Sequence, residues 1–173
     1  MSKRPAMGST RAGGSEDQHA AAFVEEFRMQ HPSMAHLLIH IANEGGTRTP
    51  DGSHFAKLAK RKKMGVVPGV ADYFLAYTFS DTHGLWLELK APTGKLKQEQ
   101  IAFLEAMNDQ GYACVVAWGW EAALHVAGRY LRGNVDTRYV YGVPLAGVAM
   151  PLVELTQAGA VRAGGIRRTR EEA

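Results

Sequence analysis

The six residues Leu85-Trp86-Leu87-Glu88-Leu89-Lys90 constrain the chain most. The run is mostly apolar, as expected of a strand buried on both faces within a sheet. It closes on a Glu and a Lys. Side chains alternate along a strand, so Glu88 and Lys90 share one face and Leu89 points to the other. Charges at the end of a buried strand are costly unless they are paired or bind a metal. Just upstream, Gly65-Val66-Val67-Pro68-Gly69-Val70-Ala71-Asp72 leads into Tyr73-Phe74-Leu75-Ala76-Tyr77-Thr78-Phe79, which is rich in strand-forming residues. The interval Ser80-Asp81-Thr82-His83-Gly84 suits a hairpin-type connection. The two strands are therefore expected to be antiparallel neighbours, with Asp72 in reach of Glu88. Two carboxylates and a backbone carbonyl, that of Leu89, suit a hard oxygen-seeking ion such as Mg²⁺ or Mn²⁺. A lysine beside such an ion can orient or deprotonate water, or stabilise charge on a phosphate. Taken singly, an Asp at a strand start is usually a cap, and an E-L-K triplet is usually a wet face.

The rest of the chain alternates helices and strands. Ser15 is an N-cap for a helix with Glu16 and Asp17 in its first turn and an apolar stripe of Ala20, Ala21, Phe23, Val24 and Phe27. Leu37 to Ala42 reads as a short strand, with His40 as a core or rim histidine. A glycine-rich turn follows, Asn43 to Arg48. Ser53 to Met64 reads as a short basic helix that Gly65 closes. Ala91-Pro92-Thr93-Gly94 breaks the Glu88 strand, and helical spacing of Leu96, Ile101, Leu104 and Met107 covers residues 97–109. Ala113 to Trp118 is a buried strand. Gly119-Trp120-Glu121 opens a last helix with an apolar side of Ala123, Leu124, Val126, Ala127, Tyr130 and Leu131. Val143 to Leu155 is apolar but interrupted by Pro144, Gly147 and Pro151. It is open between an extra strand, a dimer contact and a partly ordered extension. This order predicts an α/β domain with a mixed central sheet flanked by helices. The expected division is a flexible basic tail over 1–14, a domain over 15–132, and a partly disordered extension over 133–173.

The net charge is only +3, but the cations cluster. Lys57, Lys60, Arg61, Lys62 and Lys63 precede the Asp72 strand, and Lys3, Arg4, Arg11, Arg162, Arg167, Arg168 and Arg170 occupy the two ends. Beside an acidic metal site, such clusters read as phosphate contacts. The single cysteine, Cys114, sits in an apolar run and reads as a small core residue. It excludes a disulfide framework within one chain and fits a reducing, cytosolic setting. No stretch approaches the length of a membrane span, and the N-terminus lacks the apolar core of a secretory signal. No Gly-rich phosphate loop ending in Lys-Ser/Thr is present, which argues against a small phosphorylated substrate.

Pro68 to Leu75, then Glu88-Leu89-Lys90, then Gly94-Lys95-Leu96-Lys97-Gln98-Glu99-Gln100, with Gly111-Tyr112 beyond, resemble the VRR-NUC domain, a branch of the PD-(D/E)XK nuclease superfamily. The resemblance runs from about Ser15 to about Leu131 and is to the compact stand-alone forms, many of them phage-encoded. One departure is Ala71, where the family usually has Pro before the Asp. The resemblance implies a restriction-endonuclease-like core and Mg²⁺- or Mn²⁺-dependent hydrolysis of phosphodiesters. Asp72, Glu88 and the Leu89 carbonyl would hold the ion, Lys90 would act on the water, and Glu16 and Gln100 would support water or metal. Asn43 and Arg48, in a turn like the family's, would contact substrate, and Lys57, Lys60, Arg61, Lys95 and Lys97 would hold phosphate. It further implies DNA as substrate, branched forms such as four-way (Holliday) junctions among them, a homodimer, and a bacterial or phage-infected cytoplasm. No membrane and no organic cofactor are expected. The alternative is a nucleic-acid-binding module on an inactive nuclease fold.

Overall fold

The computed structural model describes residues 14–42, 59–60, 62–79, 81–144 and 150–152. In chain order these form α1 (Glu16–Gln30), a 3-10 turn (Ala35–Leu37), β1 (Leu38–His40), β2 (Tyr73–Leu75), β3 (Leu85–Lys90), α2 (Gln98–Asp109), β4 (Ala113–Trp118), α3 (Trp120–Leu131), β5 (Tyr141–Val143) and β6 (Met150–Pro151). The six strands make one mixed sheet in sequence order. β1, β2 and β3 are antiparallel, β3, β4 and β5 are parallel, and β6 returns antiparallel to β5. This is the α/β architecture that the alternation of elements implies.

Both faces of the sheet are covered, and for that reason β3 and β4 carry almost no exposed residue. On one face Phe23 and Phe27 of α1 and Ala123, Val126, Ala127 and Tyr130 of α3 pack on Tyr73, Leu75, Leu85, Leu87, Leu89, Val115 and Ala117. On the other, Ile101 and Leu104 of α2 pack with Leu96, Cys114, Val116 and Trp118. Each large apolar side chain so buried contributes about 1.5–3 kcal/mol. The start of α1 is fixed by a reciprocal cap. Ser15 Oγ accepts from the Gln18 N–H (3.3 Å), and the Gln18 side chain accepts from the Ser15 N–H (2.9 Å).

Two expectations are corrected. The Tyr73 to Phe79 stretch is a strand only over Tyr73–Leu75. Beyond it the backbone is drawn toward α3, where the Tyr130 hydroxyl donates to the Tyr77 carbonyl (2.6 Å) and bonds the buried Thr82 hydroxyl (2.7 Å). In α1, Ala21 is exposed rather than part of the apolar stripe, and His19 is the buried residue. Past residue 132 the sheet continues, which takes up the extra-strand reading of the segment from Val143. β5 extends it in parallel to β4 by a crossover through α3, and Leu152 is buried against α2's face. Of the basic segment read as a helix over 53–64, residues 59, 60, 62 and 63 are helical, and 53–58 and 61 lie outside the described residues.

Candidate active site

The hairpin register sets the geometry. Tyr73 pairs with Leu87, so Asp72 lies just before β2, opposite the stretch of β3 that runs on beyond the ladder. There the Asp72 Oδ2 accepts from the Leu89 N–H (3.0 Å). The carbonyl of a strand residue points to the same side as its N–H, so the Leu89 carbonyl also faces this end. The next carbonyl, that of Lys90, faces the opposite way and accepts from the Gly119 N–H (2.8 Å).

Glu88 and Lys90 project from one face of β3, as alternation requires. The Lys90 Nζ stands 2.6 Å from Glu88 Oε1 and 3.1 Å from Glu16 Oε1 on the first turn of α1. Gln100, in the first turn of α2, donates its Nε2 to Glu88 Oε1, and its own Oε1 accepts from the Lys97 N–H (2.9 Å). That cap on α2 fixes the amide's direction, so the donor end faces Glu88. Asp72, Glu88, Lys90, Glu16 and Gln100 thus converge at one end of the sheet, contributed by α1, the start of β2, β3 and α2.

The electrostatics are those of a desolvated acid pair held beside a cation. Burial pushes the Glu88 carboxyl up to about 8, and the Asp72 charge adds to this while Lys90 opposes it. Asp72 is also raised, chiefly by burial, against the Leu89 N–H and Lys90. Burial works to lower Lys90, but Glu88, Glu16 and Asp72 together outweigh it and hold its ammonium above the usual lysine value.

These residues fit a hard divalent ion. The buried Glu88 Oε2 has no hydrogen-bond partner among the described residues, which is expensive for a carboxylate oxygen unless something electropositive meets it. The donor set is oxygen throughout: two carboxylates and a carbonyl-bearing strand end. No group of three or more His, Cys, Asp or Glu suited to a metal occurs among the described residues. Two carboxylates, completed by water and substrate phosphate, is a common arrangement for Mg²⁺.

The remaining sequence candidates divide. Lys95 and Lys97 are exposed between β3 and α2, beside Gln100, and Lys60 is exposed on the short helical segment. Asn43, Arg48, Lys57 and Arg61 lie outside the described residues. Two nearby histidines have roles that pattern did not disclose. His40 is exposed at the end of β1 with its ring 5.1 Å from that of Tyr73, and the N–H of the next residue, Ile41, donates to the Asp72 carbonyl (2.8 Å). His19 is buried and its Nδ1 accepts from the Trp120 N–H (3.4 Å). Gly119 offers no side-chain cap to α3, and His19 supplies one from α1. A contact from a different helix has no local sequence signal.

A solved structure described as "VRR_NUC domain protein" superposes on this chain with a TM-score of 0.57 at 23% identity, covering 69% of this chain and 90% of that one. The chain has the fold of that VRR_NUC domain protein. No protein-family model and no curated protein matches the sequence. No helix of the described residues is long and apolar enough to cross a membrane.

Proposed function

We propose that the chain is a VRR-NUC-type, metal-dependent endodeoxyribonuclease that acts on branched DNA such as four-way junctions. The observation that carries this is the convergence of Asp72 from the start of β2, Glu88 and Lys90 from the end of β3 and Glu16 from α1 around a buried Glu88 oxygen without a hydrogen-bond partner among the described residues. Asp72, Glu88 and the Leu89 carbonyl would hold Mg²⁺ or Mn²⁺. When bound, the ion supplies Lewis-acid stabilisation of phosphate charge and lowers the pKa of a coordinated water. Lys90 orients the attacking water and stabilises the added negative charge on phosphorus. Glu16 holds the Lys90 ammonium from the solvent side, and Gln100 holds the rotamer of Glu88. Lys60, Lys95 and Lys97 offer phosphate contacts around the site. A two-fold substrate such as a four-way junction suits two copies of the chain acting on opposed strands.

Labelled linear, flapped and four-way-junction DNA with Mg²⁺ or Mn²⁺ tests this. Wild type should place paired nicks in the junction, and Asp72→Ala should slow cutting by about 10³-fold. Cutting of all substrates alike discards the junction preference. Cutting that survives Asp72→Ala sinks the site. Salt-sensitive binding without cutting would identify an inactive binding module.

Metal and proton compete for Glu88. Its carboxyl is held up to about 8 in the folded chain, against about 4.5 unfolded. Between those values the folded protein keeps a proton that the unfolded chain gives up. Metal-free stability should therefore fall as pH rises through this window, by at most about 1.4 kcal/mol per pH unit. Ion binding needs the carboxylate, so Mg²⁺ should raise the melting temperature more at pH 8.5 than at pH 6, with proton release in titration calorimetry. A Mg²⁺ shift that is the same at both pH values would refute the assignment.

A further inference from the structure

The segment between the short basic helix and Asp72 presents an apolar tip to solvent. Met64, Val66 and Val67 are 72%, 40% and 54% exposed, and Pro68 between them and the site is exposed as well. Isolated apolar residues at a surface are ordinary, but a contiguous group at a loop tip is not. The tip is held at both ends. Upstream, the Met64 N–H donates to the Lys60 carbonyl (3.0 Å) and the Gly65 N–H to the Lys62 carbonyl (3.1 Å), and Gly65 turns the chain at φ +83. Downstream, Gly69 lies so close to the Glu99–Gln100 backbone that an added Cβ would stand 2.3 Å from the Glu99 carbonyl. The tip is thus pinned to the turn of α2 that carries Gln100, three residues before Asp72.

Its surroundings select its partner. Lys60, Lys62 and Lys63 are exposed on the helical side and Lys95 and Lys97 on the α2 side, with Glu99 as the exposed acid between. Flanking cations on two sides call for a polyanion, and the tip's anchor at Gly69, three residues before Asp72, sets that polyanion beside the candidate active site, where the apolar side chains would meet base rings. We propose that Met64, Val66 and Val67 form a wedge that inserts between unstacked bases of DNA next to the cut site, while the flanking lysines hold the adjoining phosphates. This rests on the DNA reading above and adds a device to it. Apolar side chains driven between base steps kink the duplex, at a cost that is lowest where stacking is already interrupted. A branch point is such a place, so the wedge would give branch preference without base-specific hydrogen bonds.

The test uses full-length protein with Ca²⁺ in place of Mg²⁺ and 2-aminopurine placed at the branch of a four-way junction. Saturating wild type should raise its emission severalfold. Met64→Ser/Val66→Ser/Val67→Ser should remain folded, since the three side chains face water. It should lose most of that rise while keeping the salt slope of binding. Lys62→Gln/Lys63→Gln should do the reverse, keeping the emission of the bound complex and reducing the slope of log K against log salt by about 1.8. Equal emission from wild type and the triple variant at saturation overturns the wedge and leaves the nuclease standing. A change in oligomeric state of the triple variant by sedimentation also overturns it, because the tip then meets a second copy. Absence of any DNA binding by wild type removes the DNA reading itself.

Discussion

Lys90→Met should abolish cleavage, by about 10³-fold, and still give a folded protein at pH 6. The side chain removed is almost wholly buried, 2.6 Å from Glu88 and 3.1 Å from Glu16. Methionine has nearly its length and no charge, so packing is kept and the electrostatics are not. Removing one member of a buried pair ordinarily costs about 3–5 kcal/mol, because the partner's charge is left uncompensated. Here the partner has an escape. Glu88 is already raised to about 8 with Lys90 opposing the shift, and without that cation it rises further. Near pH 6 the variant therefore holds a neutral Glu88 and loses little stability. Near pH 9 the unfolded chain's free carboxylate favours unfolding, so the destabilisation relative to wild type should grow with pH. Single-turnover cleavage and thermal melts at pH 6 and pH 9 check both halves. Cleavage within tenfold of wild type would remove Lys90 from the chemistry. A variant unfolded at pH 6 would mean that its role is to hold the sheet together.

What could be read from sequence, and what could not, follows from the range of each contact. Period-two alternation is local, and it placed Glu88 and Lys90 on one face of β3 with Leu89 in the core opposite. The short interval after Phe79 made β2 and β3 neighbours, and that brought Asp72 to Leu89. Glu16 reaches Lys90 across 74 positions of sequence, and no local pattern requires that contact; the family resemblance pointed Glu16 toward the metal or its water, not toward Lys90. The stop of β2 at Leu75 was hidden for a similar reason. Strand propensity continues through Phe79, but the Tyr130 hydroxyl on α3 takes the Tyr77 carbonyl and overrides it. His19 was hidden because a histidine that caps another helix looks like any polar residue in its own. β5 was obscured by its shortness and by the Pro and Gly that follow it.

Gly69 was legible only as part of a turn, and the structure makes it the second position of large expected effect. Gly65 and Gly69 have almost the same backbone, φ +83 and +78, in the region that disfavours a side chain. That conformation alone costs an L-residue about 1–2 kcal/mol. Their surroundings differ. A Cβ at Gly65 would meet nothing within 4 Å, whereas one at Gly69 would stand 2.3 Å from both the carbon and the oxygen of the Glu99 carbonyl and 2.7 Å from the Gln100 nitrogen. Backbone atoms cannot swing aside as a side-chain tip can, so Gly69→Ala must part the loop from α2 by about 1 Å to restore ordinary contact. Gln100 rides on that turn and holds Glu88, and Asp72 is three residues from the loop. The displacement therefore falls between the two carboxylates, and a misplacement of about 1 Å at a catalytic centre can cost about 10²-fold. Gly65→Ala should lose about 1–2 kcal/mol of stability and keep its cleavage rate. Gly69→Ala should lose more stability and about 10²-fold in rate. Its Gln100 side-chain amide, which in wild type donates to the buried Glu88 carboxyl, should move toward the position of a solvent-exposed amide in a nitrogen–proton NMR spectrum. Equal losses of rate in the two variants, or an unmoved Gln100 amide in Gly69→Ala, would show that the close approach at Gly69 does not position the site.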